Sequence, residues 1–269
     1  MEHKTFNIID FHTHPFMDEF NNICSHTAYC NMSADSTKKT FDDLGVSRIC
    51  GSVLSTASKI AAAERTYSSV WERISTDNET ALKLRNYYGG FYIPGFHVHP
   101  EHVEESIAEI HRMHALGVNL IGELCPYIYG WKDYSCDAFS AILDEAEKFG
   151  MVVSFHSMGE DEMDKMVQDH PNLTFVAAHP GEYNAFMRHM ARMKMSENYY
   201  LDLSGYGIFR HGMLRHAIDE FGAERFLFGS DYPTCNPAMY LGGVLLDDLI
   251  TDDEKEMVFS ENAKRILKL

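Results

Sequence analysis

Two histidines one residue apart, His12 and His14, follow the apolar pair Ile8-Ile9 near the N-terminus. In an extended chain, residues two apart point to the same side of a sheet. The pair therefore projects from the end of a buried strand as two adjacent imidazoles, a usable set of metal ligands. Pro15 ends that strand, because it has no N–H to give to a ladder. Taken alone, His-x-His is as often an ordinary strand that carries two histidines. Its meaning depends on how the other strands end.

Four more apolar runs close on ligand-type residues. They are Gly122-Glu123, the run Met151-Val152-Val153-Ser154-Phe155-His156, the run Phe175-Val176-Ala177-Ala178-His179 and the run Phe226-Leu227-Phe228-Gly229-Ser230-Asp231. A charged or imidazole group at such a position is costly unless it is paired or binds a metal. Any one of them can be a satisfied core group; five strand ends of this kind form a pattern. Four histidines and two carboxylates on one mouth suit zinc or a similar borderline divalent ion.

The elements that must position these residues follow from periodicity. Strands are expected at about 6–14, 46–55, 91–99, 118–124, 151–156, 173–179, 199–204 and 226–230. Helical patterns separate them. One covers 57–88 and is stopped by Gly89-Gly90. Another carries Val103, Ile107, Ile110 and Met113, with Gly117 at its end, and a third is capped by Asp137 and buries Phe139, Ile142, Leu143, Ala146 and Phe149. Further helices fall at about 161–169, 184–195, 213–221, 238–250 and 252–267. Runs this apolar, alternating with helices, mean a parallel sheet covered on its outside. Eight strands close a (β/α)8 TIM barrel of the α/β class, and no composition shift divides 1–269 into more than a single domain. In such a barrel the chemistry lies at the C-terminal strand ends.

Composition narrows the partners. Forty acidic residues against 23 basic ones give a net charge of −17, which keeps the surface soluble and argues against nucleic-acid binding. No basic stretch precedes an apolar run at the N-terminus, and no apolar run reaches the ~18 residues that span a bilayer. The expectation is a cytoplasmic protein, as a monomer or homodimer, with a small-molecule substrate and no membrane partner. Six cysteines without C-x-x-C read as reduced thiols.

Ile9-Asp10-Phe11-His12-Thr13-His14-Pro15, Ser154-Phe155-His156-Ser157, Ala178-His179-Pro180-Gly181 and Leu227-Phe228-Gly229-Ser230-Asp231-Tyr232-Pro233 together resemble the amidohydrolase-related branch of the amidohydrolase superfamily. The closing Ser260-Glu261-Asn262-Ala263-Lys264-Arg265-Ile266-Leu267 is similar to that branch's last helix. The resemblance spans essentially the whole chain and implies a deformed barrel with one or two divalent metals. By that pattern His12, His14, His156 and Asp231 match metal positions, and His179 is a second-metal ligand or a catalytic histidine. Glu123 stands where many members carry a carboxylated lysine, so it bridges two ions, binds one, or orients a water.

The expected activity is metal-assisted hydrolysis of a C–N or C–O bond in an amide, lactone or ester. A metal-bound water is the nucleophile, most simply on Zn2+ with Mn2+ as the alternative, Asp231 is ligand and base, and His179 steadies the oxyanion. The alternative is non-oxidative decarboxylation of a carboxylated small molecule, with a histidine–aspartate pair managing protons. A third class is a module that only stores metal, and an open mixed site disfavours it. Around the mouth, His99, Tyr127, Trp131 and Tyr206 are candidate substrate contacts, with His97, His102 and Tyr129 nearby. Arg210 is a candidate for a substrate carboxylate, and Asp10 for holding a ligand histidine. His111, His114, His189, His211 and His216 read as surface residues on helices, and Met187, Met190, Met193 and Met195 as helix packing. Specificity is assigned to loops at about 18–36, 57–75 and 127–135.

Overall fold

The structure, a computed structural model, describes residues 5–17, 23–24, 32–55, 67–207 and 210–269. Eight strands run in chain order: β1 (Ile8–Asp10), β2 (Val46–Gly51), β3 (Tyr92–Phe96), β4 (Leu120–Leu124), β5 (Val152–His156), β6 (Thr174–Ala178), β7 (Tyr199–Asp202) and β8 (Phe226–Leu227). Each is parallel to the next, in the order β1 to β8. The seam between β8 and β1 is looser than the other junctions. The Phe11 N–H donates to Phe228 O at 2.8 Å, the Asp231 N–H donates to His12 O at 2.8 Å, and Thr13 forms an isolated parallel bridge with Tyr232. The sheet is thus a curled, open (β/α)8-type barrel, the deformed form that the motifs imply.

Helices α1 (Ala34–Asp43), α2 (Val70–Tyr88), α3 (Val103–Ala115), α4 (Pro126–Tyr129), α5 (Asp137–Lys148), α6 (Glu160–Asp169), α7 (Tyr183–Met195) and α8 (Met213–Phe221) lie between the strands. The chain ends in α9 (Pro237–Leu245), α10 (Asp252–Glu256) and α11 (Asn262–Leu267). Capping explains several starts. Ser33 caps α1 in a reciprocal box with Ser36, Ser69 accepts from the Glu72 N–H at the head of α2, and Thr251 pairs with Glu254 at α10. The helix expected over 57–88 begins at Val70, and 57–66 lies outside the described residues, as does most of 18–36. The single helix expected over 252–267 is interrupted by a π turn over Met257–Glu261.

Two apolar layers hold the barrel. Ile9, Phe11, Cys50, Leu120, Val152, Val176, Tyr200 and Leu227 fill its interior, and Ala263 and Leu267 of α11 plug the end away from the site. A larger layer, with Ile49, Phe96, Val153, Phe155, Phe175 and Ala177, packs the sheet against the helices. Val152 faces in and Val153 out, Val176 in and Ala177 out, as strand alternation requires. His189 departs from expectation. It is fully buried on α7, with Nδ1 2.6 Å from the Tyr199 hydroxyl and Nε2 3.3 Å from the Ser157 hydroxyl, because α7 turns that face onto the sheet.

Candidate metal centre

The strand ladders stop short of the candidate ligands, which sit on the residues just beyond them. Alternation alone would send His179 outward, since Val176 and Ala178 face in. A left-handed backbone at His179 (φ 67°) re-aims it, and Asp231 has the same conformation (φ 60°). Left-handed backbone costs a non-glycine residue roughly 1–2 kcal/mol and is retained where the surrounding structure imposes it. At β4 the register with β5 breaks between Ile121 and Leu124, and Gly122 takes φ 92°, which turns Glu123 towards the mouth.

The donors then converge. His12 Nε2 and His14 Nε2 are 3.2 Å apart. Glu123 Oε2 lies 3.3 Å from the first and 3.1 Å from the second, and Asp231 Oδ1 lies 3.8 and 3.5 Å from them. The other oxygen of Glu123, Oε1, is 3.0 Å from His156 Nδ1 and 3.5 Å from His179 Nε2. Glu123 is the hub, with one carboxylate oxygen for each pair of histidines.

The protons on these imidazoles are fixed from behind. His14 Nδ1 is 3.0 Å from the Ser52 carbonyl, which only accepts, so Nδ1 carries the proton and Nε2 a lone pair. His12 Nδ1 is 2.8 Å from Asp202 Oδ2. His179 Nδ1 is 3.2 Å from the Ser204 carbonyl. All three rings therefore aim an Nε2 lone pair at Glu123, and those of His12 and His14 also face Asp231. Lone pairs and carboxylate oxygens this close repel one another unless a cation sits among them. Two ligands held about 2.1 Å from one ion at near-tetrahedral angles stand about 3.4 Å apart, close to the spacings here. The donor set fits a divalent metal.

The electrostatics call for positive charge among these donors, from a proton on His12 or from a bound cation. Burial pulls the His12 pKa down, but Asp202 and Glu123 outweigh it and hold the ring well above the usual histidine value. Burial opposes the Glu123 charge, and the His12, His14 and His156 rings overcome it, so the carboxyl lies well below its usual range. Asp202 is likewise lowered against burial by His12, His179 and Ser204. For His179, burial prevails over Glu123 and Asp231 and lowers the pKa, favouring the neutral ring.

Asp202 and Ser204, at the end of β7, were missed in the sequence, although Asp202 closes an apolar run as Glu123 does. The Ser204 hydroxyl stands 2.9 Å from His12 Nδ1 and 3.1 Å from His179 Nδ1, so it links the two rings. Asp10 acts on backbone rather than on a ring. Its Oδ1 accepts the His12 N–H at 3.2 Å and the Ser230 N–H at 2.9 Å, joining the two ligand-bearing segments. Gly205 makes room for the pair His179–Asp231. A Cβ there would lie 2.2 Å from His179 Nδ1 and 3.1 Å from Asp231 Oδ2.

The cluster opens into a cavity of about 410 Å3 lined by His14, Glu123, His156, His179 and Asp231, with Cys125, Tyr127, Tyr206, Cys235 and Tyr240 as walls. Tyr127 and Tyr206 thus face the mouth. His99 and Trp131 do not. His99 Nε2 is tied to the Tyr129 carbonyl at 3.1 Å, and Trp131 is buried against Tyr134 and Phe139, because the single turn of α4 carries Tyr127 outward and returns the chain into the core. Arg210 lines a different cavity, of about 480 Å3 beside α8 and α9, where its guanidinium lies over the Tyr183 ring.

The amidohydrolase family profile matches residues 9–269. The chain belongs to the amidohydrolase family. It is a metal-dependent barrel enzyme of that superfamily, and no helix among the described residues is long and apolar enough to cross a membrane. No curated protein matches the sequence. Among solved structures, 2,6-dihydroxybenzoate decarboxylase complexed with 2,6-dihydroxybenzoate is 16% identical with a TM-score of 0.72, and the match covers 98% of this chain and 100% of that one. The 5-carboxyvanillate decarboxylase of Sphingomonas paucimobilis is 15% identical at a TM-score of 0.68, covering 98% and 100%. A dihydroxybenzoic acid decarboxylase from a Polaromonas species, with manganese and the inhibitor 2-nitroresorcinol bound, is 15% identical at 0.68, covering 98% of each. At these identities the likeness is one of fold.

These matches correct the expectation of a hydrolase acting on an amide, lactone or ester, because the similar structures named here break a C–C bond. The physical reason is that an imidazole–carboxylate metal site polarises a substrate's own oxygens as readily as it activates water. Glu123 therefore did not discriminate the two. Zinc as the favoured ion has no support from them either; the ion in the Polaromonas protein is manganese, which imidazole and carboxylate donors also suit.

Proposed function

We propose that this amidohydrolase-family chain, acting as one domain over 1–269, is a metal-dependent non-oxidative decarboxylase of a small carboxylated substrate, with hydroxylated aromatic carboxylates as the first class to try. One observation carries the reading: three Nε2 lone pairs and two carboxylates gather at the floor of a cavity large enough for one aromatic ring, walled by Tyr127 and Tyr206. Recurrence of decarboxylases among the matching folds supports it.

In this reading His12, His14, Asp231 and Glu123 hold a divalent cation. When bound, that ion draws electron density from the substrate's oxygens and so stabilises the charge left when carbon dioxide departs. Asp202 and the Ser52 carbonyl keep the two ligand rings in the tautomer that presents Nε2. The chain's remaining task is the proton. Decarboxylation replaces a C–CO2− bond by C–H, so one proton must reach the carbon as carbon dioxide leaves. His179 and Asp231, brought together at Gly205 on the cavity wall, are placed to carry it. Tyr127 and Tyr206 stand on the cavity wall as contacts for the substrate's ring.

The test is carbon dioxide release from hydroxybenzoates and related carboxylates by chelator-stripped protein with Mn2+ or Zn2+ restored. Metal-dependent release, with one solvent deuterium at the vacated carbon in heavy water, is the expected result. Products containing solvent oxygen and no released carbon dioxide would sink the decarboxylase reading.

A further inference from the structure

One face of α7 carries Phe186, His189, Met190 and Met193, all buried against the sheet. A histidine in that row is costly unless both ring nitrogens find partners, and both do. Nδ1 is 2.6 Å from the Tyr199 hydroxyl of β7, and Nε2 is 3.3 Å from the Ser157 hydroxyl just past β5. The direction of these bonds follows from their far end. The Ser157 O–H donates to the Ala178 carbonyl, which only accepts. Ser157 Oγ then accepts from His189, so Nε2 carries the ring proton and Nδ1 accepts the Tyr199 O–H. Burial and the nearby Arg192 keep the ring neutral, so no second proton reverses the first bond.

These three hydrogen bonds end on the peptide that joins β6 to His179. The β5–β6 ladder stops at His156 and Ala178, and the β6–β7 ladder at Ala177 and Leu201. Beyond them side chains take over. Ser157 holds the Ala178 carbonyl from the β5 side, and Asp202 Oδ1 accepts the His179 N–H at 3.4 Å from the β7 side. With both ends of that peptide held, rotation about the next bond decides where His179 points, and φ there is the left-handed 67°. Such a conformation persists where its surroundings impose it. We propose that Tyr199, His189 and Ser157 are a positioning relay for His179, fixing the peptide ahead of it so that its ring enters the cavity. None of the three lines that cavity, so each acts through His179 and not on the substrate. The kinetic consequence rests on the reading of His179 as a proton carrier; the structural one does not.

The experiment labels the histidine ring nitrogens of the full, chelator-stripped chain and reads them by long-range proton–nitrogen correlation, with H179N and H189Q identifying the two sets of signals. His189 is expected as the neutral tautomer protonated on Nε2. The His179 signals should move in H189F and in S157A, while those of His97 stay. H189Q should return them, because its amide donates to Ser157 and accepts from Tyr199 as the ring does. With metal restored, kcat for carbon dioxide release falls by up to about 100-fold in H189F at unchanged KM and metal content, and H189Q recovers it. A His189 ring protonated on Nδ1 overturns the proposal, as do His179 signals indifferent to H189F and S157A. Equal impairment of H189F and H189Q also overturns it, leaving the ring as packing alone. S157A reads the same contact from the half-buried end of the relay and does not depend on H189F folding. Movement of the His179 signals in a chain that releases no carbon dioxide supports the relay and removes only the decarboxylase.

Discussion

The molecule has two His-x-His pairs just past strand ends, His12-Thr13-His14 after β1 and His97-Val98-His99 after β3, and all four rings are buried. What differs is where the second ring nitrogen goes. In the first pair the Nδ1 atoms are satisfied from behind, by Asp202 and the Ser52 carbonyl, and the Nε2 atoms meet at 3.2 Å over Glu123. In the second pair the Nε2 atoms are themselves used up on backbone carbonyls, His97 on Val53 at 2.9 Å and His99 on Tyr129 at 3.1 Å. His97 sits in a polar layer with Asn78, which accepts its N–H at 2.8 Å, and against the Tyr129 ring, while Tyr129 and Ser55 hold Asp77. The same motif thus yields a metal centre at one strand and a structural brace at another. Residue type and spacing identify a candidate; whether Nε2 is left facing the other donors or is spent on a backbone carbonyl decides its role.

The largest effect should follow from breaking the first pair. H14A is expected to abolish metal retention after dialysis and all metal-dependent turnover, read by elemental analysis and carbon dioxide release. H99Q should retain metal and turnover and lose about 1–3 kcal/mol of stability, the cost of a buried hydrogen bond left unmade, read by urea unfolding. If H99Q lost its metal as H14A does, the distinction between the pairs would fail. Next in size is G205A. Its Cβ displaces the His179 ring and crowds Asp231, so turnover should fall by about 100-fold, the scale of an ångström-sized misplacement, while metal content persists. D202N comes third. It leaves the His12 ring in place but weakens its hold, and metal affinity should fall by about 10- to 100-fold.

The barrel was legible in the sequence because its strands are buried on both faces, which writes them as short apolar runs, and because glycines mark helix ends such as Gly89. Five ligand-bearing strand ends were legible for the same reason: a polar residue closing an apolar run stands out. Asp202 emits that signal too, but the run continues to Leu203, which hides it. Cys125 gives none, since a thiol reads as one more apolar residue. The orientation of His179 depends on a left-handed backbone that no side-chain pattern encodes. His99 and Trp131 looked like cavity residues because aromatic content says nothing about which way a turn faces. The expectation of hydrolysis over decarboxylation failed because both use the same donors.

The last expected effect, read on stability alone, sharpens the second pair's structural role through pH. Burial lowers the His97 pKa to about 3, and burial with Arg192 nearby does the same for His189, also to about 3. Both rings are neutral in the fold and protonated in the unfolded chain below about pH 6.5, so each contributes stability that is lost as pH falls from there towards 3. Burial has the opposite consequence for two carboxyls, raising Asp10 to about 7 and Asp77 to about 6. These favour the fold in their protonated form, so their contribution is complete below about pH 4 and fades as pH rises through those values. Between about pH 4 and 6 the unfolded chain holds a proton more on each histidine and one fewer on each aspartate, and the four slopes cancel. H97F removes one histidine from that balance. Relative to the unsubstituted chain, its stability should rise on acidification by up to about 1.4 kcal/mol per pH unit across that interval. Urea unfolding of both chains, stripped of metal so that ligand titration is common to them, reads the difference. Parallel pH profiles would mean that His97 is not held neutral by its burial and that the brace at β3 is not what keeps it from the metal centre's chemistry.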